Sequence, residues 1–260
     1  MSGSRASAVL VEIAVEGAAG ARAAESGGAG RVELASALAV GGTTPSLGAI
    51  EETVGATRLE VVVLVRPRPG DFLYSSAEFE TMRRDVGHAK AAGARGVALG
   101  ILRADGSVDE GRTRALADEA RPMSVTFHRA FDLTRDPVES LDALLRIGAD
   151  RVLTSGAAAS AFEGQALLAK LVTRAASRIV VMPGAGIEPN NAREIVRKTG
   201  AREIHLSASV EEESRMAFRN PRVTMGGRTA RDEYAARVTS EERVRAVVAA
   251  LKSVAGDGAR

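Results

Sequence analysis

The chain has 260 residues, which is long for one ordinary domain but usual for one (β/α)8 barrel. It is 45% hydrophobic and 26% charged, as globular proteins are, and its net charge of +2 gives no reason to expect nucleic acid. The chain has no Cys, which excludes disulfides, a catalytic thiol and thiolate metal ligands, and no apolar run is long enough to span a membrane. Because Met1–Ser7 also lacks the apolar core of a secretory signal, we expect a cytoplasmic protein without a membrane partner.

Short apolar runs alternate eight times with helical patterns along the chain. Parallel strands that are buried on both faces read as nearly continuous apolar runs, and LEVVVLV at 59–65 is such a run. The predicted strands are, in chain order, Val9–Val15, Arg31–Ala35, Leu59–Arg66, Gly96–Ile101, Ser124–His128, Arg151–Thr154, Arg178–Met182 and Glu203–Ser207.

Helix start and stop signals lie between these strands. Start signals are Asp136-Pro137 followed by Glu139, the capping-box pair Ser75 and Glu78, and Thr44-Pro45. Stop signals are Gly93, Gly148 and Gly200, where a left-handed residue ends a helix. The eight units predict an α/β fold of the (β/α)8 TIM-barrel type, with residues 1–260 as one domain. An open, doubly wound sheet is the alternative.

One connection is much longer than the others. Ser209–Thr239 separates the last predicted strand from the last predicted helix. Loops of this length are usually functional or disordered. We expect a solvated excursion of mixed charge or a contact between subunits of a homo-oligomer.

Charged residues inside barrel strands have to point inward, near the mouth, because the other strand face lies under helices. The residues that meet this condition are Glu12, Glu33, Arg66, His128 and His205, and Met182 and Ser207 share their alternation. Arg66 is placed to pair with either carboxylate. The set predicts a polar pocket at the carboxyl ends of the strands. The alternative is a buried, charge-compensated layer with a purely structural role.

Loops at the same end of the barrel add groups that bind anions. A turn after the seventh predicted strand is rich in glycine and precedes a helix, where phosphate is frequently bound in this fold. The predicted ligand-binding residues are Arg66, Arg68, Asp71, Arg129, Thr154, Ser155, Gly184, Gly186 and Ser207. The glycines equally suit a tight turn, and the two hydroxyl groups equally suit a turn cap.

Several segments of the sequence resemble the CutC family of copper homeostasis proteins. They are RVELASALAVGGTTPSLG (31–48), VRPRPGDFLYS (65–75), VTFHRAFDLTRDP (125–137), DRVLTSG (150–156), MPGAGI (182–187) and EIHLSAS (203–209). The resemblance implies a cytoplasmic (β/α) barrel, often oligomeric, that is associated with copper tolerance. It names no reaction.

The chain departs from the family pattern at two positions. Members of the family often carry Cys where this chain has Ala14 and Ala35. Copper(I) prefers thiolate and thioether ligands. Copper is therefore a cofactor by resemblance only, and we expect no tight copper(I) site here.

Three functions agree with these patterns. In an enzyme that acts on a small anionic metabolite, such as a phosphorylated one, Glu12, Glu33, His128 and His205 would be the catalytic acids and bases. In a metal-binding protein, the candidate ligands are His128, His205 and Met182. In a scaffold, the same residues would only stabilise the barrel. The expected partner is therefore a small anion or a metal ion.

Overall fold

The computed structural model describes residues 9–223 and 233–252, and within them the (β/α)8 barrel is confirmed. The barrel strands are β1 Leu10–Val15, β2 Arg31–Leu34, β3 Glu60–Leu64, β4 Gly96–Leu99, β5 Ser124–Phe127, β6 Arg151–Thr154, β7 Val180–Pro183 and β8 Glu203–Leu206. The helices are α1 Ala18–Gly27, α2 Leu47–Ala56, α3 Ser76–Ala91, α4 Glu110–Ala120, α5 Pro137–Ile147, α6 Gln165–Ala175, α7 Ala192–Thr199 and α8 Glu241–Lys252.

The eight strands form one parallel sheet in the order β7-β6-β5-β4-β3-β2-β1-β8. A parallel bridge between Gly184 and His205 joins the two outer strands of this order. The sheet is therefore closed, and the alternative of an open, doubly wound sheet is wrong, since that sheet would reverse its strand order.

Most predicted boundaries agree with the structure to within two residues. The capping box of Ser75 and Glu78 is present, and the Asp136 side chain accepts hydrogen bonds at the start of α5. The helix start predicted at Thr44-Pro45 is wrong, because Ser46 caps α2. Thr44 is instead tied to the loop after β3, where its N–H donates to Arg66 O and its hydroxyl oxygen accepts from Arg66 N.

The long excursion is more ordered than the predicted loop. Its two ends form an antiparallel ribbon of β9 (Ser209–Glu213) and β10 (Ala235–Thr239), in which Val210 lies opposite Val238. Residues 224–232 of the excursion lie outside the described residues, as do 1–8 and 253–260 of the predicted domain.

Buried strand side chains form two apolar sets. The larger set includes Ile13, Val32 and Val63 and packs against the helices. A small set of Ala35, Val62, Leu64 and Ala98 lies apart from it, on the alternate face that looks into the barrel. The charged side chains of Glu12, Arg31 and Glu33 lie on the same inward face, and they position the site described below. No helix among the described residues is long and apolar enough to cross a membrane.

Candidate functional site

A cavity of about 1210 Å³ opens at the carboxyl ends of the barrel strands, and we call it the mouth cavity. The predicted site residues that line it are Glu33, Arg66, His128, Arg129, Gly186, His205 and Ser207. The β9–β10 ribbon forms part of its wall, through Glu212 and Arg237 among others. Glu12 and Met182 lie outside the lining and are almost fully buried.

A buried ion network lies in the barrel interior, and it consists of Arg31, Glu12, Glu203 and Arg151. Arg31 is 1% exposed, and its guanidinium donates hydrogen bonds to the carboxylates of both Glu12 and Glu203. Arg151 Nε donates to the same oxygen of Glu203 at 3.0 Å. The residues predicted from the sequence did not include Arg31, although it shares the inward alternation of Glu33 in β2.

Glu12 is held as a carboxylate. One of its oxygens accepts from Arg31, and the other is 2.8 Å from Nδ1 of His205. Burial alone would raise the pKa of Glu12, but the hydrogen bond with His205 and the charge of Arg31 lower it to about 2. Both oxygens of Glu12 are therefore occupied at neutral pH, which leaves it poorly placed to exchange a proton.

Glu33 and His205 face each other at the floor of the mouth cavity. Glu33 Oε2 lies 3.8 Å from His205 Nε2, and Glu33 Oε1 is buried without a hydrogen-bond partner among the described residues. Burial, together with the charge of Glu12, raises the pKa of Glu33 to about 7, against the opposing effect of His205. Burial would lower the pKa of His205, but the charge of Glu33 and the hydrogen bond to Glu12 raise it. The two groups therefore favour sharing one proton.

His128 is different from His205. Its Nδ1 accepts the N–H of Ala130 and caps a short 3-10 turn at Arg129–Leu133, and its ring packs against Phe72. Burial, with the nearby charge of Arg66, lowers the pKa of His128 to about 3. His128 is therefore neutral at physiological pH and carries no charge into the cavity.

Arg66 does not pair with Glu12 or Glu33, so that part of the prediction is wrong. Its guanidinium donates to three backbone carbonyl oxygens, of Val40, Gly42 and Gly70, at 3.2, 2.8 and 2.9 Å. Arg31, and not Arg66, pairs with Glu12, because Arg31 lies directly opposite Glu12 on the neighbouring strand. Arg66 is thus a buried cation without a carboxylate partner among the described residues.

The remaining predicted ligand-binding residues lie beside the cavity and bind other groups. Arg68 pairs with Asp71 and Glu78 and stacks on Tyr74. The hydroxyl of Thr154 and the N–H of Ser155 both donate to Asp132, a residue that the sequence did not single out. This arrangement agrees with the turn-cap alternative for the two hydroxyl residues.

A Cβ added at Gly184 would lie 2.5 Å from Leu153 Cδ1, so a larger residue at this position would displace the Leu153 side chain. Ala185 and Gly186 have positive φ angles of 81° and 66°, so the turn after β7 is tight, and both border the mouth cavity. Arg129 lines the cavity while its Nε donates to Asp132 at 2.8 Å.

Comparison with known families identifies the chain. The model of the CutC family matches residues 9–210. The chain belongs to the CutC family. The resemblance found in the sequence is therefore confirmed.

Curated relatives extend the match over almost the whole chain. The chain is 46% identical to the copper homeostasis protein cutC homolog of Mus musculus, over 94% of this chain and 90% of that protein. It is 44% identical to the homolog of the same description in Homo sapiens, over 96% and 91%.

Solved structures agree with the fold. The CutC structure from Streptococcus agalactiae is 31% identical, has a TM-score of 0.72, and matches 76% of this chain and 97% of that one. N-(5'-phosphoribosyl)anthranilate isomerase from Pyrococcus furiosus matches 94% of this chain and 99% of that one with a TM-score of 0.58, but at 12% identity this shows the fold alone.

The residues present in this CutC chain do not fit a copper(I) centre. Ala14 lines the mouth cavity and Ala35 lies in the barrel interior, so neither position supplies a sulfur atom. Met182 has a thioether, but the sulfur is fully buried and accepts a hydrogen bond from the Arg31 guanidinium at 3.5 Å. A cation next to that guanidinium would be repelled.

Removal of Arg31 tests the buried ion network. We expect Arg31→Met to lower the free energy of unfolding by about 3–5 kcal/mol, because the buried carboxylate of Glu12 loses its guanidinium partner and Glu203 keeps only Arg151. Arg58→Met is the control, since Arg58 pairs with Glu25 but is 93% exposed, and we expect a loss of at most about 1 kcal/mol. Urea unfolding measures both values. Similar losses in the two variants would show that the network contributes little to stability.

The pKa of His128 predicts how stability depends on pH. The unfolded side chain takes up a proton below its ordinary pKa of 6.5, whereas the folded one does so only near 3, so acid favours the unfolded state. Between pH 7 and pH 5, we expect the wild type to lose about 2 kcal/mol more stability than His128→Asn, whose side chain can still cap Ala130 but does not titrate. Urea unfolding at both pH values measures the difference, and equal slopes would contradict the lowered pKa.

Proposed function

We propose that this protein acts in copper homeostasis, as its curated relatives are named, and that its molecular task is to bind a small anionic metabolite in the mouth cavity. The single observation that carries the second part is Arg66. It is 6% exposed and borders the cavity, and its guanidinium donates to three backbone carbonyl oxygens while no carboxylate among the described residues pairs with it. A buried charge without a counter-ion is costly, and an anion in the cavity would offset that cost.

The surroundings of Arg66 support an anion more than a cation at that wall. The turn of Ala185, Gly186 and Ile187 borders the same cavity before α7, and backbone N–H groups beside a helix amino terminus favour anions. Two carboxylates at the rim of the cavity, of Glu16 and Glu188, already accept hydrogen bonds or form ion pairs within the protein. Leu38 N donates to Glu16, and Arg243 pairs with Glu188.

Within this proposal, Glu33 and His205 are the groups that act on the bound anion. Both face the cavity, whereas both oxygens of Glu12 are occupied, and Nδ1 of His128 is used in capping. The catalytic set suggested by the sequence therefore narrows from four residues to two.

We also propose a cytoplasmic location and assembly into homo-oligomers. The absence of Cys suits a reducing compartment. Exposed apolar side chains on the excursion, Met216 at 60% and Phe218 at 74%, would be covered by a second copy.

The anion site is tested with Arg66→Gln, which removes the charge and keeps one donor for the carbonyls. We expect chelator-treated wild-type protein to bind inorganic phosphate or pyruvate in calorimetric titration, and Arg66→Gln to bind roughly tenfold more weakly, since a charged hydrogen bond contributes about 1.5–3 kcal/mol. Arg68→Gln is the matched control, because Arg68 lies in the same loop but pairs with Glu78 and Asp71 outside the cavity. Equal losses in both variants, or no binding of either probe to the wild type, would contradict the proposal.

Copper(I) binding gives a separate expectation. Without a thiolate, the purified chain should lose copper(I) completely to a strong chelator such as bathocuproine disulfonate. The measurement is the absorbance of the chelator complex after addition of one equivalent of copper(I). Retention of a stoichiometric amount by the protein would contradict the absence of a soft site.

A further inference from the structure

We propose that His205 Nε2 and the Glu33 carboxylate hold a divalent cation of borderline softness, such as Zn²⁺ or Fe²⁺, at the floor of the mouth cavity. Among the described residues, Glu12, Glu33 and His205 form a group whose ligand atoms lie within 4.8 Å of one another. Glu33 and His205 are also the residues that the proposed function assigns to act on an anion, but binding of the cation does not depend on binding of the anion.

The separation of the two ligand groups suits a shared ion. His205 Nε2 and Glu33 Oε2 are 3.8 Å apart, which exceeds the length of a hydrogen bond. Zinc binds imidazole nitrogen and carboxylate oxygen at about 2.0–2.2 Å. Two ligand atoms bound to the same zinc ion therefore lie at a separation similar to that of His205 Nε2 and Glu33 Oε2. An ion between the two groups requires little movement of either.

The orientation of His205 is fixed for such a role. Nδ1 of His205 lies 2.8 Å from Oε1 of Glu12, so the Nδ1–H tautomer donates to this carboxylate and leaves the Nε2 lone pair directed at Glu33. A histidine that binds a metal typically donates its other N–H to a carboxylate in this manner. Arg31 in turn holds the second oxygen of Glu12, so the buried ion network fixes the imidazole.

Glu33 supplies an independent observation. It is 5% exposed, and its Oε1 atom is buried without a hydrogen-bond partner among the described residues. Buried carboxylate oxygens nearly always have a partner, so this atom calls for a cation or an ordered water. This oxygen belongs to the same carboxylate that faces His205. The proposed ion would therefore supply the partner that the oxygen lacks.

The coordination chemistry indicates which ion fits. One imidazole and one carboxylate are borderline and hard ligands, and they suit zinc or iron(II) better than copper(I). Two protein ligands leave coordination positions open toward the mouth cavity, as in sites that bind water or substrate rather than closed structural sites. The cation would take the place of the proton that Glu33 and His205 otherwise share.

Cobalt(II) is the probe, because its visible absorption reports coordination by protein ligands. Full-length protein without a tag, treated with EDTA and then dialysed, is titrated with Co²⁺, and Zn²⁺ is used to displace it. We expect one Co²⁺ per chain with absorption typical of a site with fewer than six ligands, and release of Co²⁺ by one equivalent of Zn²⁺.

Three variants assign the site. Glu33→Gln should weaken Co²⁺ binding at least roughly tenfold, because it removes a ligand but preserves shape, and Glu12→Gln should weaken it about 10–100-fold through loss of positioning. His88→Gln is the control, since this exposed histidine on α3 lies outside the cavity, and its binding should equal that of the wild type. Circular dichroism confirms that each variant is folded.

Three outcomes would overturn the inference. One is wild-type protein that binds no Co²⁺ or Zn²⁺ in the micromolar range, and another is Glu33→Gln that binds as tightly as the wild type. A loss in His88→Gln alone would indicate an adventitious surface site and would equally overturn it. Because the phosphate and pyruvate titrations use chelator-treated protein, failure of the metal site and failure of the anion site are distinguishable.

Discussion

The contact between Arg31 and Glu12 is the constraint on which the polar interior depends. Neither side chain is more than 1% exposed, and a barrel interior cannot hold either charge alone at a tolerable free energy. Their strands pair in register, with Glu12 directly opposite Arg31 and also opposite His205 on the other side. The closed parallel sheet therefore brings together two charges on consecutive strands, and the same register places the imidazole of His205, 193 residues away from Glu12 in sequence, beside them.

Charge balance explains why the floor of the mouth cavity, at Glu33 and His205, differs from its wall at Arg66. Arg31 and Arg151 are matched by Glu12 and Glu203, and Glu33 with His205 adds no net charge whether the pair is neutral or ionised. The floor is therefore close to neutral and can exchange a proton for a cation. The wall formed by Arg66 is not balanced, because its acceptors are carbonyl oxygens. A neutral, ligating floor next to a positive wall suits a ligand with an anionic group.

The sequence allowed the barrel to be predicted because local signals agreed with the global fold. Strand runs repeated in every unit, capping residues and stop glycines marked several of the helices, and alternation placed Glu33, Arg66, His128 and His205 around one cavity. The sequence did not predict which charged side chains pair with each other, since alternation gives the direction of a side chain but not its height in the barrel. Arg31 begins β2 and was therefore overlooked, although its position opposite Glu12 follows once the register is known. Arg66 bonds to loop carbonyls that no strand pattern encodes.

The family resemblance implies Cys at the positions of Ala14 and Ala35, and alanine at both positions bears on the kind of ion that the proposed site would attract. Ala14 lies directly opposite Glu33 in the sheet and lines the cavity, so a sulfur atom at this position would stand beside the proposed ligands. In this chain the same floor offers only nitrogen and oxygen, with His205 already oriented by Glu12. Soft thiolate ligands favour copper(I), whereas imidazole and carboxylate favour borderline divalent ions. Replacement of Ala14 in β1 by Cys would therefore shift the metal preference of the floor without altering the barrel, the buried ion network or the wall at Arg66.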